Sequence, residues 1–292
     1  AMIIAACINI GLDLLFVMVF HWGIPGAAIA TVIAQAFSFL FCFVVLRKIE
    51  VLKISRRDTK LEKGVVVRLL TLGMPLMFQN VIISVGGMVV QTVINGFGFI
   101  FVAGFTAANK LYGLLEMAAI SFGYAITTYT GQNLGAGRLD RIKTGMRSGM
   151  AMAALTSVAV SAVMLIFGRS ILSLFVSGDP EQTAEVLSIA YRYLSVMSYF
   201  LVVLYALCVY RSALQGLGDT VLPMVSGIVE FVMRVCAVML LPAVIGQNGV
   251  FYAEILAWIG AAVLLVTSYY RKMHQLTHGK QIKRKTADDR SH

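Results

Sequence analysis

GIPGAAIATVIAQ at residues 23–35 and GQNGVFYAEILAW at residues 246–258 read as two copies of one helix opening, 223 residues apart. Each begins an apolar run with G-x-x-G, and the alanines Ala30 and Ala34 recur as Ala253 and Ala257. Each also follows an apolar run that carries an acid, Asp13 before the first and Glu230 before the second. Identity between the copies is low, so the topology around them carries the argument. Parallel repeats of this kind mark transporters whose path lies between two halves.

Working outward, the chain is 59% hydrophobic and only 13% charged, with a mean hydropathy of +0.85. Soluble domains carry about a quarter charged residues, so a water-facing surface is excluded. Crossing a bilayer core takes roughly 20 apolar residues per helix. Eight stretches qualify: 2–20, 26–46, 69–95, 101–130, 147–168, 183–210, 221–244 and 249–270. Lipid offers no partner to an unpaired backbone group, so these are helices. The cysteines Cys7, Cys42, Cys208 and Cys236 lie in apolar runs without C-x-x-C spacing and read as small buried residues.

The net charge of +10 invites a nucleic-acid reading, which its distribution removes. Eight basic residues fall in the loop 47–68, four in 131–147, one (Arg211) in a turn at 211–220 and seven in the tail from 271. The alternate connections hold only Arg169. That alternation is the positive-inside pattern, so the basic loops and the C-terminus are cytoplasmic and no nucleic acid is needed to explain them. Four segments follow: 1–47, the last two helices of an N-terminal lobe; 48–67, a cytoplasmic inter-lobe loop; 68–270, a six-helix C-terminal lobe; and 271–292, a basic cytoplasmic tail, polar from Gly279 and disordered or resting on anionic lipid. The repeat length leads one to expect about 176 further residues, or four helices, ahead of Ala1.

Two glycine clusters punctuate helix ends. GQNLGAG at 131–137 puts the amides of Gln132 and Asn133 and then Gly135 where a helix must stop. In GLGDT at 216–220, Gly218 does the same, with Asp219 or Thr220 placed to cap the next helix. Neither follows a strand or carries G-x-x-x-x-G-K-S/T, so neither is a phosphate loop.

NIGLD at 9–13 with GIPGAAIATVIAQ, LGMPL at 72–76, TAANK at 106–110 with TGQNLGAGR at 130–138, and RSALQGLGDT at 211–220 together resemble the multidrug and toxic compound extrusion (MATE) transporters. Their order and spacing span the chain apart from its tail. The resemblance implies an all-α polytopic membrane protein with a two-lobe helical bundle, of whose twelve expected transmembrane helices about eight are present. It also implies a monomeric full-length transporter. Some sodium-coupled members carry an acid in the helix equivalent to 69–95. This chain has none there, which resembles the branch whose coupling carboxylate lies in the first helix of the protein.

Ionisable groups in the membrane are costly, and so they are the candidate binding residues. They are Lys110, Glu116, Glu230, Arg234 and Glu254, joined by the amides Gln79, Asn80 and Asn109. Glu230 and Arg234, at i and i+4, either line a cavity or pin helices as a structural pair. Glu116 has no such neighbour, which favours a cavity role. Asp13, with Gln132, Asn133, Gly135, Gly218 and Asp219, belongs to the structural motifs. Gln91 and Asn95 add polarity to the helix 69–95, and Pro75 kinks it unless neighbouring helices resupply the lost bond. His274 and His278 lack a third ligand or an H-E-x-x-H glutamate, so no metal site is expected.

The expected function is secondary active efflux of cationic amphipathic compounds across a prokaryotic inner membrane. Export would be by alternating access in exchange for H+ or Na+, with the lipid bilayer as surroundings and no other cofactor. A lipid-linked oligosaccharide flippase of distantly similar fold is the alternative, and would line its cavity with cations for a pyrophosphate. A non-functional fragment is a third reading. A membrane-embedded enzyme would need a metal or nucleophile constellation, and the sequence shows none, so no catalytic residue is assigned.

Overall fold

The structure, a computed structural model, describes residues 2–49, 62–176 and 180–288. Every regular element among them is helical: α1 (Met2–Asp13), α2 (Gly23–Lys48), α3 (Lys63–Asn95), α4 (Phe99–Gly135), α5 (Leu139–Leu172), α6 (Pro180–Tyr199), α7 (Leu201–Gly216), α8 (Val221–Ile245) and α9 (Gly249–Asp288). The middle of the loop 48–67, with Lys53, Arg56, Arg57 and Lys60, lies outside the described residues. The chain divides into two compact units, 1–66 and 67–292.

Length and apolarity single out 2–19, 23–48, 63–95 and 139–172 as spans, together with 221–278, which folds back on itself as α8 and α9. The expected span at 183–210 differs: it is two helices, α6 and α7, bent by 52° across Phe200. Composition gives no warning of that break, since neither Gly nor Pro stands near it. Side chains such as Ile166, Leu240 and Val263 are exposed without a polar neighbour in the sequence. On a water-soluble protein they would be a liability, and in a bilayer they meet acyl chains. The backbone of α9 continues to Asp288, so the stretch after 270, including the part from Gly279 read as disordered, is helical to that point.

In the first unit a π-helical turn, Leu14–Val19, follows α1. The chain then reverses through His21 and Gly23, both at positive φ (52° and 58°). A side chain at Gly26 would press against Phe16 and Trp22, whose rings stack 5.2 Å apart. The second copy of the opening solves the same problem the same way. Gly246 has φ 69°, and a Cβ at Gly249 would lie 2.6 Å from the Leu241 carbonyl carbon. The G-x-x-G pair is thus a turn glycine followed by a close-approach glycine. The likeness extends one turn further: Thr31 accepts a 3.4 Å hydrogen bond from Asn9 of α1, and its counterpart Glu254 reaches back to Arg234 of α8.

In the second unit α4 packs on α5, α6 and α7, while α9 packs on α7 and α8. Small residues let α4 and α7 close in: Gly123 faces Ser212, Gly131 faces Gly216, and the Thr127 hydroxyl donates to the Ser212 carbonyl at 3.1 Å. The apolar core of this unit includes Phe105, Tyr193, Phe251 and Trp258. α3 runs unbroken through Pro75, and near its end Gln91 bonds Asn95 at 2.9 Å.

The two glycine clusters end their helices alike. Gly137 N–H bonds Leu134 O (2.9 Å) while Arg138 N–H bonds Asn133 O (2.8 Å); Gly218 and Asp219 repeat this on Gln215 and Leu214. Both are Schellman closures, with the left-handed residue at Gly137 (φ 67°) and Gly218 (φ 77°). Gly135 instead finishes α4 in helical geometry. Asp219 accepts from Leu222 N–H (3.3 Å) and from Lys272 Nζ (2.9 Å), tying the turn to α9. Gly218→Val is therefore expected to destabilise the chain by about 1–2 kcal/mol, read as a lower melting temperature in detergent. Gly135→Val, which meets nothing within 4 Å, is expected to leave the melt unchanged.

Candidate functional site

α8 carries Glu230 and Arg234 one turn apart on a single face, and both are buried. Arg234 Nη2 donates to Glu230 Oε1 at 2.9 Å. The same guanidinium pairs through Nε with Glu254 of α9, and its Nη1 reaches the Ile83 carbonyl of α3 at 3.3 Å. Glu230 Oε2 accepts from Arg211 Nη2 of α7 at 2.6 Å. Two guanidiniums and two carboxylates thus join α3, α7, α8 and α9 into one network of zero net charge. A lone charge in a low-dielectric interior would cost several kcal/mol, and mutual pairing is what makes four tolerable here.

The close passage of α3 over α8 makes room for this network. A Cβ on Gly86 would sit 3.2 Å from Arg234 Nη1, and one on Gly227 would sit 3.0 Å from Gln79 Cγ. Gln79 is buried at that crossing.

The network forms one wall of a cavity of about 590 Å³. α3 contributes Gln79 and Asn80, α4 contributes Asn109, Tyr112 and Glu116, and α9 contributes Trp258, which stacks on Tyr112 with centroids 5.9 Å apart. Glu116 makes no ion pair or hydrogen bond among the described residues. The lining therefore holds three carboxylates against two guanidiniums, and the surplus acid is the one without a partner.

Seven of the eight residues expected to bind substrate or ion are brought together here: Glu116, Glu254, Glu230, Arg234, Asn109, Gln79 and Asn80. Lys110 is not, being exposed on α4 away from the cavity. Asp13 lies at the end of α1, and its Oδ1 is buried without a hydrogen-bond partner among the described residues. Gln132, Asn133, Gly135, Gly218 and Asp219 belong to the helix-end turns. His274 and His278 touch each other at 3.0 Å, and no group of three or more metal-binding side chains occurs among the described residues.

Arg211 is the correction. Read as a loop cation, it is a helix residue whose charge is spent on Glu230. The GLGD turn held the signal: counting back from Gly216 puts Arg211 about one and a half turns inside α7.

The MatE family model matches residues 75–240. The probable multidrug resistance protein YoeA of Bacillus subtilis (strain 168) is 29% identical over 94% of this chain and 55% of its own length. YpnP, another probable multidrug resistance protein of that organism, is 30% identical over 84% of this chain and 54% of its own. The chain therefore spans about half the length of these curated relatives. Among solved structures, a MOP superfamily transporter from Pyrococcus furiosus Vc1 (DSM3638), described by the reverse polarity of its binding pocket, superposes with TM-score 0.85 at 20% identity. It covers 94% of this chain and 61% of that one. A MATE crystal structure in the bent conformation gives 0.83 at 20% identity, covering 95% and 62%. At such identities these two establish the shared fold. With the family match extending over more than half of its residues, this chain, a multi-pass helical membrane protein, belongs to the MATE family.

Proposed function

We propose that this chain forms part of a secondary multidrug exporter in a prokaryotic inner membrane, and that the cavity between α3, α4, α7, α8 and α9 holds the exported compound. The observation that carries the reading is the charge state of the lining. Its guanidiniums are matched to carboxylates, whereas Glu116 keeps its oxygens free for a cation. Tyr112 and Trp258 add flat apolar faces beside it, which suits cations that are amphipathic rather than small and hydrated. The relatives named as multidrug resistance proteins point the same way. Export runs by alternating access in exchange for H+ or Na+, with the C-terminus on the cytoplasmic side as the basic loops require.

The flippase reading would use unpaired cations to hold a pyrophosphate. A reversed pocket polarity is what distinguishes the Pyrococcus transporter. In this cavity Arg211 and Arg234 are already neutralised, so the cationic substrate is favoured.

Equilibrium dialysis of the purified chain against radiolabelled tetraphenylphosphonium tests the proposal. Glu116→Gln is expected to weaken binding about tenfold to a hundredfold, the loss of one opposite charge beside the cation. Glu116→Asp should retain most of it. Equal binding by wild type and Glu116→Gln would overturn the assignment. Repeating the titration at lower pH and at raised sodium tests whether a proton or sodium competes with the probe at Glu116.

A further inference from the structure

A second cavity, of about 520 Å³, opens between α5 and α9 with α7 behind it. Its lining differs in kind from the first. α5 contributes Lys143 and Arg147 at its start and Met150, Ala151 and Ala154 deeper along the same face; α7 and α9 contribute Tyr210, Tyr269 and Tyr270. No acidic side chain lines it.

Three observations point to an anionic, two-part ligand. Lys143 and Arg147 have no ion-pair partner among the described residues, and they stand one turn apart near the start of α5. Two uncompensated cations there favour an anion at the mouth. Below them the wall turns apolar, which a free inorganic anion would not use. The third observation is Tyr269. It is 3% exposed, and its hydroxyl is buried with no hydrogen-bond partner among the described residues. Leaving such a group unsatisfied is costly, and a ligand oxygen would relieve it. Tyr210 and Tyr270 each pack edge to face on Tyr269, with their hydroxyls 3.5 Å apart. Aromatic rings with polar tips at the end of a span mark the headgroup level of a bilayer.

We propose that this crevice binds an anionic phospholipid, with its phosphate between Lys143, Arg147 and the tyrosine hydroxyls and an acyl chain along Met150, Ala151 and Ala154. Its placement in the cytoplasmic leaflet rests on the orientation proposed above. Binding in micelles does not depend on that orientation, so the two can fail separately.

The test is native mass spectrometry of the full chain in detergent, titrated with palmitoyl-oleoyl phosphatidylglycerol, with its phosphatidylcholine analogue and with inorganic phosphate. Phosphatidylglycerol is expected to bind at least about tenfold more tightly than phosphatidylcholine, and Lys143→Gln/Arg147→Gln to remove that preference. Arg138→Gln/Arg141→Gln, which takes the same charge from outside the crevice, should keep it. Tyr269→Phe is expected to weaken phosphatidylglycerol binding about two- to tenfold while leaving the lipid-free melting temperature unchanged or higher. Should the charge variant fail to fold, Ala154→Trp, which fills the apolar wall and leaves the cations, must abolish binding. Equal affinity for both lipids, or an unaffected Lys143→Gln/Arg147→Gln chain, would overturn the proposal. Inorganic phosphate competing at the lipid's own affinity would also overturn it, by showing a bare anion site.

Discussion

Arg234→Met is expected to destabilise the unit 67–292 by about 3–5 kcal/mol, the cost of leaving buried carboxylates without their cation. Both Glu230 and Glu254 lean on this one guanidinium, but they are not equally exposed to its loss. Glu230 keeps Arg211 at 2.6 Å, whereas Glu254 has no other ion-pair partner among the described residues. Adding Glu254→Gln to Arg234→Met should therefore recover part of the loss, since it removes the stranded charge. Adding Glu230→Gln should recover less and leave Arg211 unpaired in turn. Thermal unfolding in detergent reads all three, with a drop on the order of 10 °C for the single variant. Strictly additive effects of Arg234→Met and Glu254→Gln would contradict the coupling that the geometry demands.

The second large effect belongs to the α4–α7 crossing. A Cβ on Gly216 would lie 2.7 Å from the Thr127 carbonyl oxygen and 2.8 Å from Thr130 Cβ, against backbone that cannot rotate aside. Gly216→Val should force the two helices apart and cost at least about 1–3 kcal/mol. It also opens the wall of the cavity beside Glu116, because Ser212 and Gln215 line it from the same stretch of α7. Tetraphenylphosphonium binding is thus expected to fall together with the melting temperature. Gly113→Val, on α4 with nothing within 4 Å, is the matched control and should change neither. A Gly216→Val chain that melts and binds like wild type would mean that the crossing is looser than these distances.

Much of this was legible before any coordinates. Apolar length located most of the spans, because a bilayer demands about 20 such residues from each helix. The intramembrane acids found the cavity, because charge at that depth must be paired or functional. The repeated G-x-x-G was visible as a pattern, and its reason, a turn followed by close backbone approach at Gly26 and Gly249, needed geometry. What stayed hidden followed from long-range contact. Glu230–Arg234 is a local i, i+4 pair and readable, but Arg211 and Glu254 join it across 19 and 20 residues of chain from other helices. The 52° break at Phe200 has no residue of the usual kind to announce it. Lys110 misled for the opposite reason: its position in a span says it is buried in the bilayer, not which way its helix face turns.

The cavity beside Glu116 is proposed above as the place where the transported cation sits. Thiol protection tests it most directly. Cys7, Cys42, Cys208 and Cys236 are replaced by serine, Asn80→Cys is placed on the α3 wall of the cavity, and its rate of labelling by a small charged maleimide is followed as tetraphenylphosphonium is added. Labelling is expected to slow by about tenfold or more as binding saturates, with the protection lost in Glu116→Gln. An unchanged labelling rate at saturating probe would place the cation elsewhere and contradict it.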